Sequence, residues 1–77
     1  DYPAKKLFVL IEEEDRYKYS RLRELINSNK GNTDFIFAIK NKNEKRIQNT
    51  GTKVKLNREF LEQLVELMGI EKIKIQM

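Results

Sequence analysis

The stretch from Gly31 to Lys40 constrains the fold more than any other part of the chain, because a turn signal there runs directly into a strand. Its apolar residues, 35–39, place successive side chains on opposite sides of an extended backbone, which predicts a strand over Asp34 to Lys40. A strand and a helix precede it, and a strand, a helix and a strand follow. That order, βαββαβ, predicts an α+β fold of the split β-α-β (ferredoxin-like) kind, with two helices on one face of a mainly antiparallel sheet.

The first half of the chain shows a strand pattern followed by a helix pattern. The apolar run Leu7–Ile11 is typical of a central strand buried on both faces or nearly so. Asp15 is predicted as the helix N-cap, since short acidic side chains accept from the free N–H groups there. Gly31 is predicted to end the helix in a left-handed conformation. The helical face consists of Tyr19, Leu22, Leu25 and Ile26.

The second half begins with a predicted hairpin turn at residues 41–44 and a third strand from about Lys45. Its apolar residues change phase between Ile47 and Val54, which predicts a bulge or second turn near residues 49–51. Asn57 is a predicted N-cap and Gly69 closes the second helix. The stripe of that helix is Phe60, Leu61, Leu64, Val65 and Met68, and the last strand contains Ile73 and Ile75.

Composition excludes several classes of protein. The 77 residues suffice for one small domain, predicted over residues 5–77, with residues 1–4 as the remnant of a linker from a longer chain. The chain has neither cysteine nor histidine, which excludes disulfides, thiolate chemistry, histidine bases and the usual zinc sites. The longest apolar run is too short to cross a bilayer. We expect no enzymatic activity in this fragment, no cofactor, no membrane contact, a monomeric state and a cytoplasmic location.

The acidic run from Glu12 to Asp15 is the one group of side chains that offers several ligands to a hard cation. Consecutive residues at a strand-to-helix junction are expected to point in diverging directions, so we predict no metal site. The run is expected to complement the dipole at the start of the helix instead. Phe8 and most of the other phenylalanines are predicted to pack in the core rather than to stack on bases.

A basic segment in the second half indicates the chemistry of a partner. Seven basic residues and one acidic residue lie between Lys40 and Arg58. Such a segment favours an acidic partner, either protein or nucleic acid, although lysines also protect exposed edge strands. The predicted partner-binding residues are Lys40, Lys42, Lys45, Arg46, Lys53 and Lys55.

The order of elements and several apolar and turn positions resemble one family over nearly the whole chain. The chain is similar to the C-terminal domain of the bacterial DNA polymerase III alpha subunit (DnaE type), although Asp34 stands where the family often has proline. The segments that carry the resemblance are 6–11, 22–26, 30–33, 35–37, 54–57, 60–64 and 67–75.

The resemblance implies a role that composition does not. In this family the DNA-directed DNA polymerase (nucleotidyltransferase) active site lies far upstream, and the terminal domain docks the polymerase to the tau subunit of the clamp loader during DNA replication. No catalytic residue carries over onto this sequence. The second expectation is a small basic module that binds single-stranded nucleic acid. A ligand-sensing regulatory domain is a third class.

Overall fold

A computed structural model describes residues 6–76, except for the side chain of Thr50. The predicted linker at residues 1–4 lies outside the described residues. Two α-helices and four strands follow one another in the predicted order, and a short 3-10 helix precedes both α1 and β4. The elements are β1 (Lys6–Glu12), a 3-10 helix (Glu13–Lys18), α1 (Tyr19–Asn27), β2 (Lys30–Lys40), β3 (Lys45–Val54), α2 (Arg58–Met68), a second 3-10 helix (Ile70–Lys72) and β4 (Ile73–Gln76).

The strands form one mixed sheet in the order β3-β2-β1-β4. β2 and β3 form an antiparallel hairpin, β4 is antiparallel to β1, and β1 is parallel to β2. The predicted α+β class with ferredoxin-like elements is confirmed. One detail differs from a split β-α-β unit, in which another strand separates the two parallel strands. Here all seven residues of β1 pair with β2 at residues 34–40, so the edge that an inserted strand would need is already used.

Both helices pack on the same face of the sheet. The side chains of β1 that point toward them are Leu7, Val9 and Ile11, each buried. Phe35 and Phe37 continue this layer on β2, with ring centroids 5.1 Å apart in an edge-to-face arrangement. The helices, the end of β3 and the connection from β3 to α2 supply the rest of the core: Leu22, Ile26, Val54, Leu56, Phe60, Leu64 and Met68.

Local signals predicted α2 well and the start of α1 poorly. The Asn57 side chain accepts a hydrogen bond from the Phe60 N–H at 2.9 Å, and Gly69 ends α2 with φ of 95°, so both predictions are confirmed. The predictions for Asp15 and Gly31 are wrong. Asp15 lies inside the first 3-10 helix, whose N-cap is Glu12, and Gly31 belongs to β2 without a positive φ.

Gly31 has a different structural reason to be glycine. A Cβ atom built there would lie 2.5 Å from the Cα of Lys55, closer than real contacts come. The Lys55 N–H donates to the carbonyl of Asn29 at 2.6 Å, which holds the two backbones together. Glycine therefore allows the end of β3 to pass close to the start of β2.

The predicted hairpin turn and the irregularity in β3 are both present. The Asn41 N–H donates to the carbonyl of Glu44 at 2.8 Å and closes the turn. Further along, three residues of β2 (34 to 36) oppose five of β3 (49 to 53), and Gly51 within that bulge has φ of 76°. Because the insertion has two residues, it preserves the alternation of faces. Val54 enters the core, whereas Ile47 stays on the other face.

Candidate docking surface

The side of the sheet away from α1 and α2 is the candidate functional surface, and we call it the open face. The described helices cover the face that contains Leu7 and Val9, so the alternate residues of β1 point to the open face. Paired residues on neighbouring strands share a face, and the register therefore arranges the open face in rows that cross the strands. Neither described helix is long and apolar enough to span a bilayer.

Two neighbouring rows of the open face contain adjacent apolar residues, although Asn49 of β3 lies in the first of them beside Ile36. One contains Phe8 beside Ile36, and the next contains Leu10, Ala38 and Ile47. We call these five residues the apolar band. Ile36 and Ala38 are buried as its floor, Phe8 and Leu10 are half-buried, and Ile47 is 58% exposed. All members of the band except Ile36 line a trough of about 670 Å³, together with Lys45 and residues 71–76. The band offers apolar surface to a partner.

Lysines border this band on several sides. Lys40 pairs with Lys45 in the row beyond Leu10, Lys6 lies in the row beyond Phe8, and Lys74 pairs with Phe8 across the β1–β4 edge. All four are exposed, and none takes part in an ion pair within residues 6–76. Their charges are therefore available to an acidic partner.

The predicted partner-binding residues do not form one cluster. Lys40 and Lys45 lie together on the open face, and Lys42 lies in the turn between their strands. Arg46 pairs with Ile39 and therefore points to the helix-covered side. Lys53 and Lys55 lie at the end of β3 that is farther from the hairpin turn.

Those two distant lysines have local contacts of their own. Lys53 is 3.9 Å from the carboxylate of Asp34 on β2, and the backbone of Lys55 is bonded to Asn29. The structure thus brings Lys40 together with Lys45 and separates the other four predicted residues. These six basic residues are separated because they differ in the face of the sheet and in the end of the strand at which they lie. Their positions along the chain do not show this difference.

Reasoning from sequence missed the other half of this surface. Phe8 was predicted in the core, and that prediction is wrong, because Phe8 lies on the open face beside Lys74. Phe35, Phe37 and Phe60 are in the core as predicted. Lys6 and Lys74 were not selected at all. The alternation of Lys6 and Phe8 with Leu7 and Val9 was the signal that could have placed them on one face.

A second cluster of charges joins the 3-10 helix before β4 to the end of β1 and the 3-10 helix after it. The ammonium of Lys72 bonds to the buried carboxylate of Asp15 and lies 3.5 Å from carboxylate oxygens of Glu12 and Glu14. The Glu12 N–H also donates to Asp15 at 3.1 Å, and Lys18 lies 3.5 Å from the other carboxylate oxygen. Only 3% of the Asp15 side chain and 11% of the Lys72 side chain are exposed. We call these residues the Lys72 network.

The network shifts the titration of its two buried members. Burial on its own raises the pKa of Asp15, but the hydrogen bonds from Lys72 and the Glu12 N–H and the charges of Lys72 and Lys18 outweigh it. The pKa of Asp15 therefore lies below its usual value of 3.8. The hydrogen bond to Asp15 raises the pKa of Lys72 above its usual 10.5, against the opposing effect of burial, and the charges of the three carboxylates add to the rise.

The expectation that the acidic run diverges is wrong for three of its residues. Carboxylate oxygens of Glu12, Glu14 and Asp15 all lie within 4.8 Å of one another. The ammonium of Lys72 lies among them, at the point where a bound cation would be attracted. The arrangement is a lysine-centred ion-pair network, which fixes the 3-10 turn before β4 to the turn after β1.

Comparisons with known proteins give no relative. No protein-family model matches the sequence, no curated protein matches it, and no solved structure matches the fold.

Proposed function

We propose that this chain is a non-catalytic docking domain from the C-terminal end of a bacterial DNA polymerase III alpha subunit. In this proposal it attaches the polymerase to the tau subunit of the clamp loader. The parent chain is then a DNA-directed DNA polymerase of the bacterial cytoplasm. The family resemblance in the sequence supports this identity, and the observation that carries the docking role is the apolar band on the open face.

The chemistry of the open face supports docking rather than catalysis. Ile47 is more than half exposed at the edge of the band, and Phe8 and Leu10 keep part of their surface accessible. A protein partner that covers these side chains gains about 25 cal/mol for each Å² of apolar surface removed from water. The lysines around the band attract an acidic partner and orient it.

Neighbouring residues on opposite faces provide a sharp test. Lys45 and Arg46 are adjacent in β3, both are exposed, and their partners in β2 place them on opposite sides of the sheet. Lys45→Glu and Arg46→Glu therefore change the net charge equally but alter different faces. Tau binding to the immobilised domain, measured as a Kd, is expected to weaken at least about tenfold with Lys45→Glu and less than about twofold with Arg46→Glu.

Two results would contradict the proposal at different levels. Absence of tau binding to the unmodified domain would refute the assigned partner. Equal loss of binding with both reversals would show that the total charge, and not the open face, is responsible. Melting temperatures of the two variants serve as the control for folding.

One observation favours single-stranded nucleic acid as the second candidate. Phe8 lies on a central strand of the open face with Lys74 beside it, and an aromatic ring next to a cation is a common platform for a base. A fluorescence titration with oligothymidylate at two salt concentrations tests it, because phosphate contacts lose affinity steeply as salt rises. Phe8→Leu should weaken such binding and leave tau binding nearly unchanged.

A further inference from the structure

We propose that the apolar band binds an amphipathic helix of the partner, one whose apolar stripe is bordered by acidic residues and whose axis crosses the strands. This inference rests on the proposed docking function and names the kind of segment that occupies the open face.

The dimensions of the band fit a helix. Its two rows are two residues apart along β1, or about 7 Å at the usual rise of a strand. In the row of Leu10 it extends over β1, β2 and β3, about 10 Å at the usual strand spacing, and in the row of Phe8 over β1 and β2. A helix is about 10–12 Å in diameter, which is wide enough to cover both rows. It rises about 5.4 Å per turn, so two turns match the length of the band across the strands. An extended peptide covers one row.

The lysines border the band on both of its long sides. Lys40 and Lys45 lie in the row beyond Leu10, where Glu12 is paired with Lys72, while Lys6 lies in the row beyond Phe8, where Asp34 is paired with Lys53. These outer rows are six residues apart along β1, or about 20 Å. Each outer row therefore offers at least one lysine without an ion pair among the described residues to a carboxylate on the flank of a bound helix, and Lys74 adds a cation on the β4 side of the band.

Charge and side-chain type favour an acidic helix over two other occupants. A second copy stacked face to face would oppose lysines of the same kind, which costs free energy. Nucleic acid fits the lysines but not the band, since four of its five members are aliphatic and offer no ring on which a base can stack. The band accommodates apolar side chains, and the lysines accommodate carboxylates.

A set of designed peptides tests this independently of tau. The first is a stapled helix of about 18 residues with a leucine stripe at i, i+3, i+4 and i+7 and glutamates on both flanks. The second has lysines on the flanks, and the third carries a central proline that prevents the helix. Affinity is measured by fluorescence anisotropy, and the contact surface by amide chemical-shift changes in the isotope-labelled chain.

The glutamate helix should bind with its largest shift changes at Phe8, Leu10 and Ile47. The lysine helix and the proline peptide should bind at least about tenfold more weakly. Ile47→Asp and Lys45→Glu should each weaken binding of the glutamate helix by a similar factor. The matched controls are Tyr17→Asp, at an exposed site in the first 3-10 helix, and Lys42→Glu in the hairpin turn. Each control should change the affinity for the glutamate helix less than about twofold.

Each other outcome would overturn a defined part of the proposal. Equal binding of the proline peptide would assign the band to an extended segment, and tighter binding of oligothymidylate through the same lysines would assign it to nucleic acid. Chemical-shift changes confined to α1 and α2 would refute the assignment of the open face as the binding surface. If tau binds but Ile47→Asp and Lys45→Glu leave its affinity unchanged, the present inference fails and the docking function stands. If the helix binds the band and tau does not, only the assigned partner fails.

Discussion

Removal of the ammonium from the Lys72 network should destabilise the domain far more than a surface substitution does. Lys72→Met keeps most of the apolar stem and eliminates the charge that faces Asp15, Glu12 and Glu14. Asp15 would remain buried with only Lys18 and the Glu12 N–H as partners. An uncompensated buried carboxylate is costly, because the protein interior solvates it poorly.

The loss in free energy of unfolding should be about 2–4 kcal/mol. Breaking a buried ion pair by removal of one partner costs roughly 3–5 kcal/mol, and the two contacts that Asp15 keeps reduce that figure somewhat. A chain of this length has a total stability of about 4–12 kcal/mol. Since 1 kcal/mol shifts the melting temperature of such a domain by about 4–8 °C, the variant should melt at least about 8 °C lower at pH 7.

The effect should depend on pH in a defined direction. Because the pKa of Asp15 is lowered in the folded domain, its contribution to stability is present above 3.8 and disappears as pH falls through the lower folded value. Because the pKa of Lys72 is raised, its contribution is present below 10.5 and is lost only as pH rises through the higher folded value. The difference between parent and variant should therefore be largest at neutral pH and shrink as the solution approaches pH 3.

Urea denaturation followed by circular dichroism at pH 3, 5 and 7 measures this difference. Lys74→Met is the matched control, since Lys74 lies two residues further on, is exposed and has no ion pair among the described residues. It should change stability by less than about 0.5 kcal/mol. A loss below about 1 kcal/mol for Lys72→Met, or a loss that is the same at all three pH values, would refute the importance assigned to the network.

Two further predictions concern the backbone. Asn57→Ala removes the acceptor for the Phe60 N–H and should lower the free energy of unfolding by about 1 kcal/mol in urea melts, with Asn43→Ala in the hairpin turn as the unaffected control; equal losses would contradict the capping role. Gly31→Ala places a Cβ against the backbone of Lys55 and should lower the melting temperature by several degrees, whereas an unchanged value would show that β3 moves away without cost.

Local sequence signals predicted the structure correctly where no residue distant in the chain competes for the same side chain. Asn57 and Gly69 begin and end α2 as expected, because capping depends on the residue itself and on backbone groups within one turn. Asp15 has the same local signal, but its carboxylate bonds to Lys72, which lies 57 residues away in the chain. A prediction that considers only neighbouring residues cannot identify that partner.

The strand order and the docking surface depended on information that periodicity does not contain. Alternation assigns a side chain to one of two faces but says nothing of which strand lies alongside, so the direct contact of β1 with β2 was not predicted. The basic residues were grouped by their position along the chain. Lys45 and Arg46 are adjacent there, yet β3 places them on opposite faces of the sheet.

The pairing of β4 with β1 has a mechanical consequence. Lys6 lies opposite Gln76, so the two described ends of the chain lie at the same end of an antiparallel ladder. A force that pulls these ends apart acts along the hydrogen bonds and opens them one pair after another, as in a zipper, instead of shearing the whole ladder at once. Opening runs from Gln76 to Ile73 and then reaches Lys72. The ion pairs there are the first firm resistance that such a load meets.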